Sequence, residues 1–304
     1  MKASTVMMPY LLQHSPLNTL QRLAQKPQWM GSVDDWDAAK WVAVGIPYDG
    51  TCSYRPGTRF GPEMIRNASW GMETYSPALN GDMEAACLWD AGELALPFGN
   101  RNAALALMHE ATQAVLAADK HWLGIGGEHL VTLPTIQAYT QKYPDLVILH
   151  ADAHTDLRDD YLGEKLSHAT VLRRCAELLQ APSDLLQFGI RSGLEEEWNW
   201  MRANHTYQAP DADWASVIKQ RAGNRPVFVT LDLDVFDPAV LPGTGTPEPG
   251  GWLWADYLRW INAMRGLNIV GMDVVELSPM LDASGCSTAL AAKAIRELLI
   301  VANL

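Results

Sequence analysis

A segment at the middle of the chain combines aspartate and histidine at spacings of two residues. Residues 146–156 run from an apolar stretch into His150, Asp152, His154 and Asp156. Side chains alternate along a strand, so these four side chains would share one face. Carboxylates gathered at the end of an apolar strand repel each other and lose hydration, a cost that a bound cation removes. The segment therefore predicts metal ligands at Asp152, His154 and Asp156.

Two other interpretations apply to this segment. His150 lies on the same predicted face but deeper in the apolar run. We interpret it as a hydrogen-bonded core residue or as a support for a ligand, rather than as a ligand itself. For the segment as a whole, the alternative is a polar strand end whose charges are solvated, which would require no metal.

A second segment repeats this design. In residues 227–238 an apolar run is followed by Asp232 and Asp234, two positions apart. Two more carboxylates in a similar setting exceed what one metal requires. An oxygen-rich ligand set with two imidazoles suits Mn²⁺, although other borderline divalent ions would also fit. Asp237 precedes a proline and is interpreted as part of the turn after the strand.

A third segment, residues 122–129, ends in a double glycine, a glutamate and His129. A histidine after a double glycine is a weak signal when taken alone. If it follows a strand of the same sheet, however, His129 would face the same crevice as the two acidic segments. It would then supply a sixth metal ligand.

A fourth apolar run, residues 268–276, ends in Glu276. This carboxylate exceeds the needs of the metals and could instead pair with a cationic substrate. The alternative is a surface acid at a strand end. The two interpretations remain open on the residues alone.

These segments belong to an alternation of apolar runs and amphipathic stretches. The apolar runs cover residues 41–46, 87–90, 122–125, 146–151, 185–190, 227–233 and 268–275. Helical periodicity is found in residues 102–118, 133–142, 168–179, 255–264 and 288–302. Strands that are apolar on both faces and separated by helices predict a parallel sheet covered by helices on both sides. In such a sheet, ligands bind just beyond the carboxyl ends of the strands, where the candidate residues lie.

Length and charge restrict the classes of function. A chain of 304 residues can bury a full hydrophobic core, and we expect a single domain over residues 1–304. Residues 1–35 would form an N-terminal extension that packs on this domain or on a neighbouring subunit. The formal net charge of −12 argues against nucleic acid and anionic membrane surfaces as partners. The surplus of carboxylates suits a cationic substrate.

Cysteine usage and hydropathy indicate the cellular compartment. The four cysteines are scattered and show no paired spacing, which is typical of a reduced protein. No run reaches the roughly 18 apolar residues that a membrane span requires, and the N-terminal segment is no convincing signal peptide. We therefore expect a soluble, cytoplasmic protein.

Five ordered motifs resemble those of the ureohydrolases, the family of arginase, agmatinase and their relatives. They are GGEH at 126–129, DAHTD at 152–156, LDLDVFDP at 231–238, PGTGTPEPGG at 242–251 and DVVELSP at 273–279. With RPGTRFGPEMIR at 55–66, the resemblance covers most of the chain. It implies a three-layer αβα fold of the α/β class around a single eight-stranded, mostly parallel sheet, assembled as homotrimers or homohexamers.

The resemblance also implies a cofactor of two Mn²⁺ ions per subunit. One ion would be bound by His129, Asp152, Asp156 and Asp232. The other would be bound by Asp152, His154, Asp232 and Asp234. Asp152 and Asp232 would then bridge the two ions.

Within the family, the sequence is most similar to agmatinases. GEKLSHATVLRR places His168 where agmatinases carry a proton-shuttle histidine, and FGIRSGLEEEW at 188–198 is also similar. The Asn- and Ser-rich loop with which arginases bind the amino acid head of arginine is not found after DAHTD. Glu128 stands where the family usually has Asp, which preserves the charge. The implied reaction hydrolyses agmatine to putrescine and urea, with Asp156 and His168 in proton transfer and Glu276 on the substrate.

Four alternatives have their own discriminators. A sister enzyme for 4-guanidinobutyrate, guanidine or another guanidino compound would keep the same residues and differ in its pocket loops. A zinc deacetylase of related fold would need one metal, whereas His129 and Asp234 together favour two. A non-catalytic protein would be expected to have lost ligands, and all six are present. Without the resemblance, a metal-dependent phosphoesterase would also fit, and a phosphate-release assay would identify it.

Overall fold

An eight-stranded sheet forms the centre of the computed structural model, which describes residues 16, 19–20, 24–25 and 28–304. The strands found in these residues are β1 (Ala24–Gln25), β2 (Trp41–Ile46), β3 (Tyr75–Ser76), β4 (Gly81–Asp82), β5 (Leu88–Leu94), β6 (His121–Gly126), β7 (Val147–Ala151), β8 (Leu185–Phe188), β9 (Pro226–Asp232) and β10 (Asn268–Val275). The order in the sheet is β1-β5-β2-β6-β10-β9-β7-β8. Seven strands that are consecutive in this order, beginning with β5 and ending with β8, run parallel to one another. At the edge, β1 is antiparallel to β5.

Helices cover both faces of this sheet. The α-helices of the described residues are α1 (Gly61–Ser69), α2 (Arg101–Ala117), α3 (Thr132–Lys142), α4 (Val171–Ala176), α5 (Glu195–Asn204), α6 (Trp214–Ala222), α7 (Trp254–Ala263) and α8 (Cys286–Val301). Val147 and Leu149 of β7 join one hydrophobic core with Ile295 of α8. Ile148, between them, joins the other core with Met108 of α2. The predicted three-layer αβα fold and its eight-stranded, mostly parallel sheet are confirmed.

The helices predicted from periodicity at 102–118, 133–142, 255–264 and 288–302 are present as α2, α3, α7 and α8. The stretch at 168–179 divides into a 3₁₀ turn, His168–Thr170, and the short helix α4. Three helices of nine or ten residues, α1, α5 and α6, were not predicted. The buried residues of α5 are Glu197 and Met201, and those of α1 include Arg66 and Ser69, so the buried faces of these two helices are not apolar in the sequence.

Strand β5 extends beyond its predicted apolar run, and two of its acidic residues pair with Arg66. Arg66 of α1 donates to Asp90 from Nε at 2.8 Å and from Nη2 at 3.0 Å. Its Nη1 atom lies 3.3 Å from Oε1 of Glu93. These acids interrupt the apolar pattern, so the sequence predicts too short a strand. The two-stranded antiparallel ribbon of β3 and β4, separate from the sheet, was also not predicted.

The predicted N-terminal extension, residues 1–35, falls mostly outside the described residues. Within it, β1 pairs with β5, and the buried Trp29 donates its backbone N–H to Asp90 Oδ2 at 2.6 Å. All four cysteines are described, and none forms a disulfide. Across the described part of the chain, every helix is too short or too polar to cross a bilayer.

The four central strands carry the candidate residues. In the sheet, β6, β10, β9 and β7 are neighbours in this order, and all are parallel. Parallel neighbours place their carboxyl ends at the same edge of a sheet, so the residues that follow these strands converge. The fold therefore brings together motifs that are far apart in the sequence.

Candidate metal centre

The Nδ1 atom of His129 lies among three carboxylates. It is 3.2 Å from the Oδ2 atom of each of Asp152, Asp156 and Asp232. This Nδ1 atom is buried and makes no hydrogen bond with any residue that the structure describes. Nitrogen and oxygen ligands lie about 2.0–2.2 Å from a Zn²⁺ ion, so two ligand atoms bound to the same ion are separated by about 3 Å. The spacing around His129 Nδ1 is that of ligands around a shared cation.

A second group of donors surrounds His154. Its Nδ1 atom lies 2.9 Å from Oδ2 of Asp234 and 3.6 Å from Oδ1 of Asp152. Asp152 therefore directs one oxygen to His154 and the other to His129. Asp232 has one oxygen near His129, while its Oδ1 atom accepts a hydrogen bond from the backbone N–H of Asp234 at 2.9 Å. The two groups of donors thus adjoin each other through two aspartates.

The pKa values of these buried residues indicate that the negative charge of the carboxylates is poorly compensated. Burial, and then the charge of Asp152, raises the pKa of Asp156 to about 7. Burial also raises the pKa of Asp232 well above its usual value, with the charge of Asp234 acting in the same direction. Although burial alone would lower it, the neighbouring carboxylates raise the pKa of His129 well above 6.5. Divalent cations would supply the missing positive charge, so the donors fit metal binding.

His150 supports Asp152 instead of competing for a metal. Gln187 accepts from Thr206 Oγ1 at 2.9 Å, which leaves its Nε2 to donate to Nδ1 of His150 at 3.2 Å. His150 must then donate from Nε2 to Asp152 Oδ2, at 2.8 Å. Burial lowers the pKa of His150, which agrees with a neutral ring. Both ring nitrogens are engaged, as expected for a residue that orients a ligand.

The double glycine before His129 is required by a close backbone contact. A Cβ atom on Gly127 would lie 1.8 Å from the backbone oxygen of Tyr48. The backbone N–H of Gly127 donates to the oxygen of Ile46, and the N–H of Glu128 donates to that of Tyr48, both at 2.8 Å. These bonds lock the GGEH loop onto the chain after β2. The weak signal of the glycines therefore has a physical basis.

Two site residues have left-handed backbone conformations, which are uncommon outside glycine. The φ angles are 53° at Asp156 and 68° at Glu276. The carbonyl of Asp156 accepts from the N–H of Leu172 at 3.0 Å, and Glu276 donates its N–H to Gly127 at 2.8 Å. Glu276 Oε1 also accepts from the N–H of His129 at 2.8 Å. Strained backbone held in this way is a feature of functional sites.

A cavity of about 410 Å³ opens onto both groups of donors. Of the predicted site residues, those on its wall are His154, Asp156, His168, Asp232, Asp234 and Glu276. His129 and Asp152 lie beneath the wall and are fully buried. Arg158 and Tyr161 line the cavity as well. The wall is rich in carboxylates, which favours a cationic ligand.

Glu276 and His168 line this cavity, and the pKa values of both side chains are shifted from their usual values. Burial raises the pKa of Glu276 well above its usual value, and the charge of Glu128 adds to the effect. Burial lowers the pKa of His168 to about 4, with the nearby His154 acting in the same direction. His168 is therefore neutral near pH 7, and its pKa lies below the unperturbed value of about 6.5.

Sequence reasoning missed Glu197, which holds the loop after DAHTD. Its Oε1 atom accepts from Thr155 Oγ1 at 2.6 Å and from the N–H of Leu157 at 3.1 Å. Its Oε2 atom accepts from the N–H of Leu194 at 2.7 Å. Glu197 thus ties the start of α5 to the metal-binding segment. A glutamate at the third position of a helix, where it can cap the helix start, is the signal that could have identified this residue, but no helix was predicted over residues 195–204.

Comparison with known proteins agrees with this geometry. The arginase family matches residues 39–301 of the chain. The chain is 44% identical to the agmatinase of Bacillus subtilis over 276 residues, which cover 90% of this chain and 95% of the relative. It is 35% identical to the mitochondrial guanidino acid hydrolase of Homo sapiens over 268 residues, or 84% of this chain and 76% of the relative.

A solved structure extends the similarity to the fold. The proclavaminate amidino hydrolase of Streptomyces clavuligerus superposes with a TM-score of 0.84 at 32% identity, covering 93% of this chain and 98% of that one. Sequence and fold therefore agree over nearly the whole chain. The chain belongs to the arginase family of binuclear metal hydrolases.

Proposed function

We propose that this enzyme hydrolyses agmatine to putrescine and urea at a binuclear manganese site. The observation that carries the proposed substrate is the 44% identity to the agmatinase of Bacillus subtilis over 90% of the chain. The relative named for guanidino acids is 35% identical. Glu276 on the cavity wall, which is not among the proposed metal ligands, supports a cationic substrate of this kind.

The metal ligands that we propose form two sets. The first set is His129, Asp152, Asp156 and Asp232. The second set is Asp152, His154, Asp232 and Asp234. The contacts of the two imidazoles with these carboxylates support this division. A set of carboxylate oxygens with two imidazoles suits Mn²⁺, and other divalent ions would compete for it.

When bound, a pair of divalent ions supplies the Lewis acidity that activates water at neutral pH. This activation matters because the guanidinium carbon is stabilised by resonance and is a poor electrophile. We assign the acceptance of the water proton to Asp156, which lies on the cavity wall beside His129. Loss of the amine from the tetrahedral intermediate then yields putrescine and urea.

Glu276 is the proposed partner of the substrate guanidinium. Its carboxylate lines the cavity and is held in place by the backbone N–H of His129. Burial disfavours its charged form, and a bound guanidinium group, which stabilises that form, would displace the proton. Charge-assisted hydrogen bonds of this kind also fix the orientation of the reacting carbon.

His168 is the proposed residue for proton exchange with the leaving amine. It lies on the cavity wall and is partly exposed, so it reaches both substrate and solvent. Because its pKa is lowered to about 4, the resting ring is neutral and first accepts a proton from solvent. The protonated ring is then a strong acid towards the departing amine.

One observation favours a second substrate class, the guanidino acids. The guanidinium group of Arg158 lies on the cavity wall, where it would attract a carboxylate tail such as that of 4-guanidinobutyrate. Arg158 is stacked on the ring of Tyr161, 4.8 Å from its centroid, and its Nε atom lies 3.9 Å from Glu197. The neighbouring carboxylate weakens this attraction, and we keep agmatine as the primary proposal.

The remaining proposals concern the molecular and cellular context. We infer a single domain over residues 1–304, assembled as a homotrimer or homohexamer, with residues 1–35 packed on the domain or on a neighbouring subunit. The family resemblance supports the oligomer. The free state of all four cysteines supports a cytoplasmic location. The formal net charge of −12 supports the absence of nucleic acid and anionic membrane partners.

The test is a urea-release assay with Mn²⁺ on agmatine, arginine, 4-guanidinobutyrate and guanidine. We expect the highest kcat/KM with agmatine, complete loss of activity after chelation and recovery on addition of Mn²⁺. A higher kcat/KM with 4-guanidinobutyrate would replace agmatine by the second substrate class. Full activity in protein shown to be metal-free would refute the binuclear mechanism, and phosphate release from phosphoesters would indicate a different reaction.

A further inference from the structure

The hydroxyl group of Thr51 connects a buried carboxylate to the ring of His168. The backbone N–H of Thr51 donates to Glu128 Oε2 at 2.7 Å, and its Oγ1 atom is in short contact with Glu128 Oε1. The same Oγ1 atom lies 3.1 Å from the backbone N of His168 and 3.3 Å from its ring Nδ1. Thr51 follows β2 in a loop and belongs to none of the motifs that predicted the site.

The hydrogen-bonding capacity of a hydroxyl group decides the direction of these contacts. A threonine hydroxyl has one proton to donate and two lone pairs that accept. Burial raises the pKa of Glu128 to about 7, so above that pH its side chain is a carboxylate that only accepts, and the proton of Thr51 is directed to it. The lone pairs then accept from the backbone N–H of His168 and from its ring. The Nδ1 atom of His168 must therefore carry the ring proton.

This assignment leaves Nε2 of His168 without a proton. The Nε2 atom lies 3.4 Å from the hydroxyl of Ser53, which lines the cavity. The hydrogen bond made by one ring nitrogen of a histidine determines which nitrogen is free to react. A free Nε2 next to the cavity can accept a proton there and return it.

We propose that Thr51 is a positioning residue for the reaction, because it holds His168 in the tautomer with the proton on Nδ1. Glu128 acts one step further away by fixing the Thr51 hydroxyl. This inference rests on the proposed role of His168 in proton transfer. It adds a residue that orients the ring without touching the substrate.

The experiment observes the tautomer directly. The full chain is labelled with ¹⁵N-histidine, loaded with diamagnetic Zn²⁺ and studied at about pH 8.5, where Glu128 is ionised, by two-bond ¹H–¹⁵N correlation, which distinguishes a protonated ring nitrogen from an unprotonated one. The variant His168→Asn identifies the His168 signals. We expect the Nδ1-protonated ring in the original chain and in Thr51→Ser. In Thr51→Val, which lacks the hydroxyl, we expect the population to shift to the Nε2-protonated ring.

Kinetics provide the second readout. With Mn²⁺ loaded, Thr51→Val should lower kcat for agmatine about tenfold or more, a part of the usual contribution of acid–base catalysis, with KM and metal content unchanged. Thr51→Ser should restore kcat. The matched control is Thr58→Val at the start of the 3₁₀ turn Thr58–Phe60, since the Thr58 hydroxyl contacts Cys52 Sγ at 3.8 Å and not His168. This control should leave the tautomer unchanged.

Two outcomes would overturn the inference. One is a ring of His168 protonated on Nε2 in the original chain. The other is an unchanged tautomer and kcat in Thr51→Val. The spectroscopic result requires no substrate, so it remains decisive even if the enzyme hydrolyses a guanidino compound other than agmatine. A failure of the proposed function can thus be separated from a failure of the role of Thr51.

Discussion

The Nδ1 atom of His154 lies 2.9 Å from the Oδ2 atom of Asp234. The side chain of Asp234 makes no such contact with His129. Asp234 is linked to the donors around His129 only through its backbone N–H, which donates to Asp232 Oδ1. Asp232, in contrast, has its Oδ2 atom 3.2 Å from Nδ1 of His129. These relationships assign Asp234 to one group of donors and Asp232 to the junction of the two. Substitution of the two aspartates should therefore have different effects.

We expect Asp234→Asn to lose metal from one site and Asp232→Asn to lose metal from both. An amide keeps the shape of the side chain but removes the charge that attracts a cation. Metal content after dialysis, measured by mass spectrometry, should be about one equivalent in Asp234→Asn and less in Asp232→Asn. Two full equivalents in Asp232→Asn would disprove its bridging role. Asp237→Asn, in the turn after β9, is the matched control and should keep both metals.

Metal binding should release protons, and the apparent affinity for Mn²⁺ should rise with pH. In the metal-free protein the pKa of Asp156 is raised to about 7, so this carboxyl is largely protonated below pH 7 and ionised above it. The raised pKa values of His129 and Asp232 add further protons that a cation must displace. Proton competition therefore weakens binding as the pH falls.

Titration calorimetry at pH 6.5 in two buffers of different ionisation enthalpy measures this release. We expect at least one proton to leave for each protein molecule that is loaded with Mn²⁺. Identical heats in the two buffers would show that no proton leaves. That result would contradict the proposed competition between protons and metal at these residues.

His168→Ala should keep both metals and lower kcat about 100-fold or more, the usual scale of general acid–base assistance. His168 lines the cavity but contacts Thr51 and Ser53 instead of the carboxylates of the metal centre. Activity and metal content should be measured on the same preparation. Near-normal turnover would make His168 structural, and a lost metal would make it a ligand. His109→Ala, on α2 away from the cavity, is the control and should change neither quantity.

Arg158→Gln should shift the substrate preference towards agmatine. Unit charges about 10 Å apart interact by about 0.4 kcal/mol in water, with opposite signs for an ammonium and a carboxylate tail. The ratio of kcat/KM for agmatine to that for 4-guanidinobutyrate should therefore rise about fourfold or more. Arg173→Gln is the matched control, since Arg173 stacks on Trp200 outside the cavity wall. An unchanged ratio would show that Arg158 does not meet the substrate tail.

Much of the fold and of the site follows from local patterns. Strands such as β7 and β9 are apolar on both faces and are followed by acidic residues. The sequence therefore predicts both the strand and the position of the candidate site residues at its end. These features depend on neighbours in the sequence, and periodicity reports them well. Asp152, His154 and Asp156 follow the end of β7 at Ala151, so the strand alternation that predicted a shared face does not extend to them, and Asp156 has a left-handed backbone instead.

The remaining features depend on contacts between distant parts of the chain. Thr51 reaches Glu128 and His168 across 77 and 117 positions, and no local pattern encodes such a contact. Arg66 pairs with Asp90 inside the protein, so polar residues occupy positions where apolar ones would be predicted. Tertiary structure overrides local preference in these places, and they lie at the site or next to its supporting strands.

The left-handed backbone of Asp156 and Glu276 has a consequence for the evolution and engineering of this protein. Conformations of this kind cost on the order of 1–3 kcal/mol each, and glycine would relieve that cost at either position. Selection for thermal tolerance alone would favour glycine there, whereas selection for turnover retains the carboxylates. A library screened only for heat resistance should therefore accumulate substitutions at these two positions and yield hardier but inactive proteins, a stability–activity trade-off located in two residues.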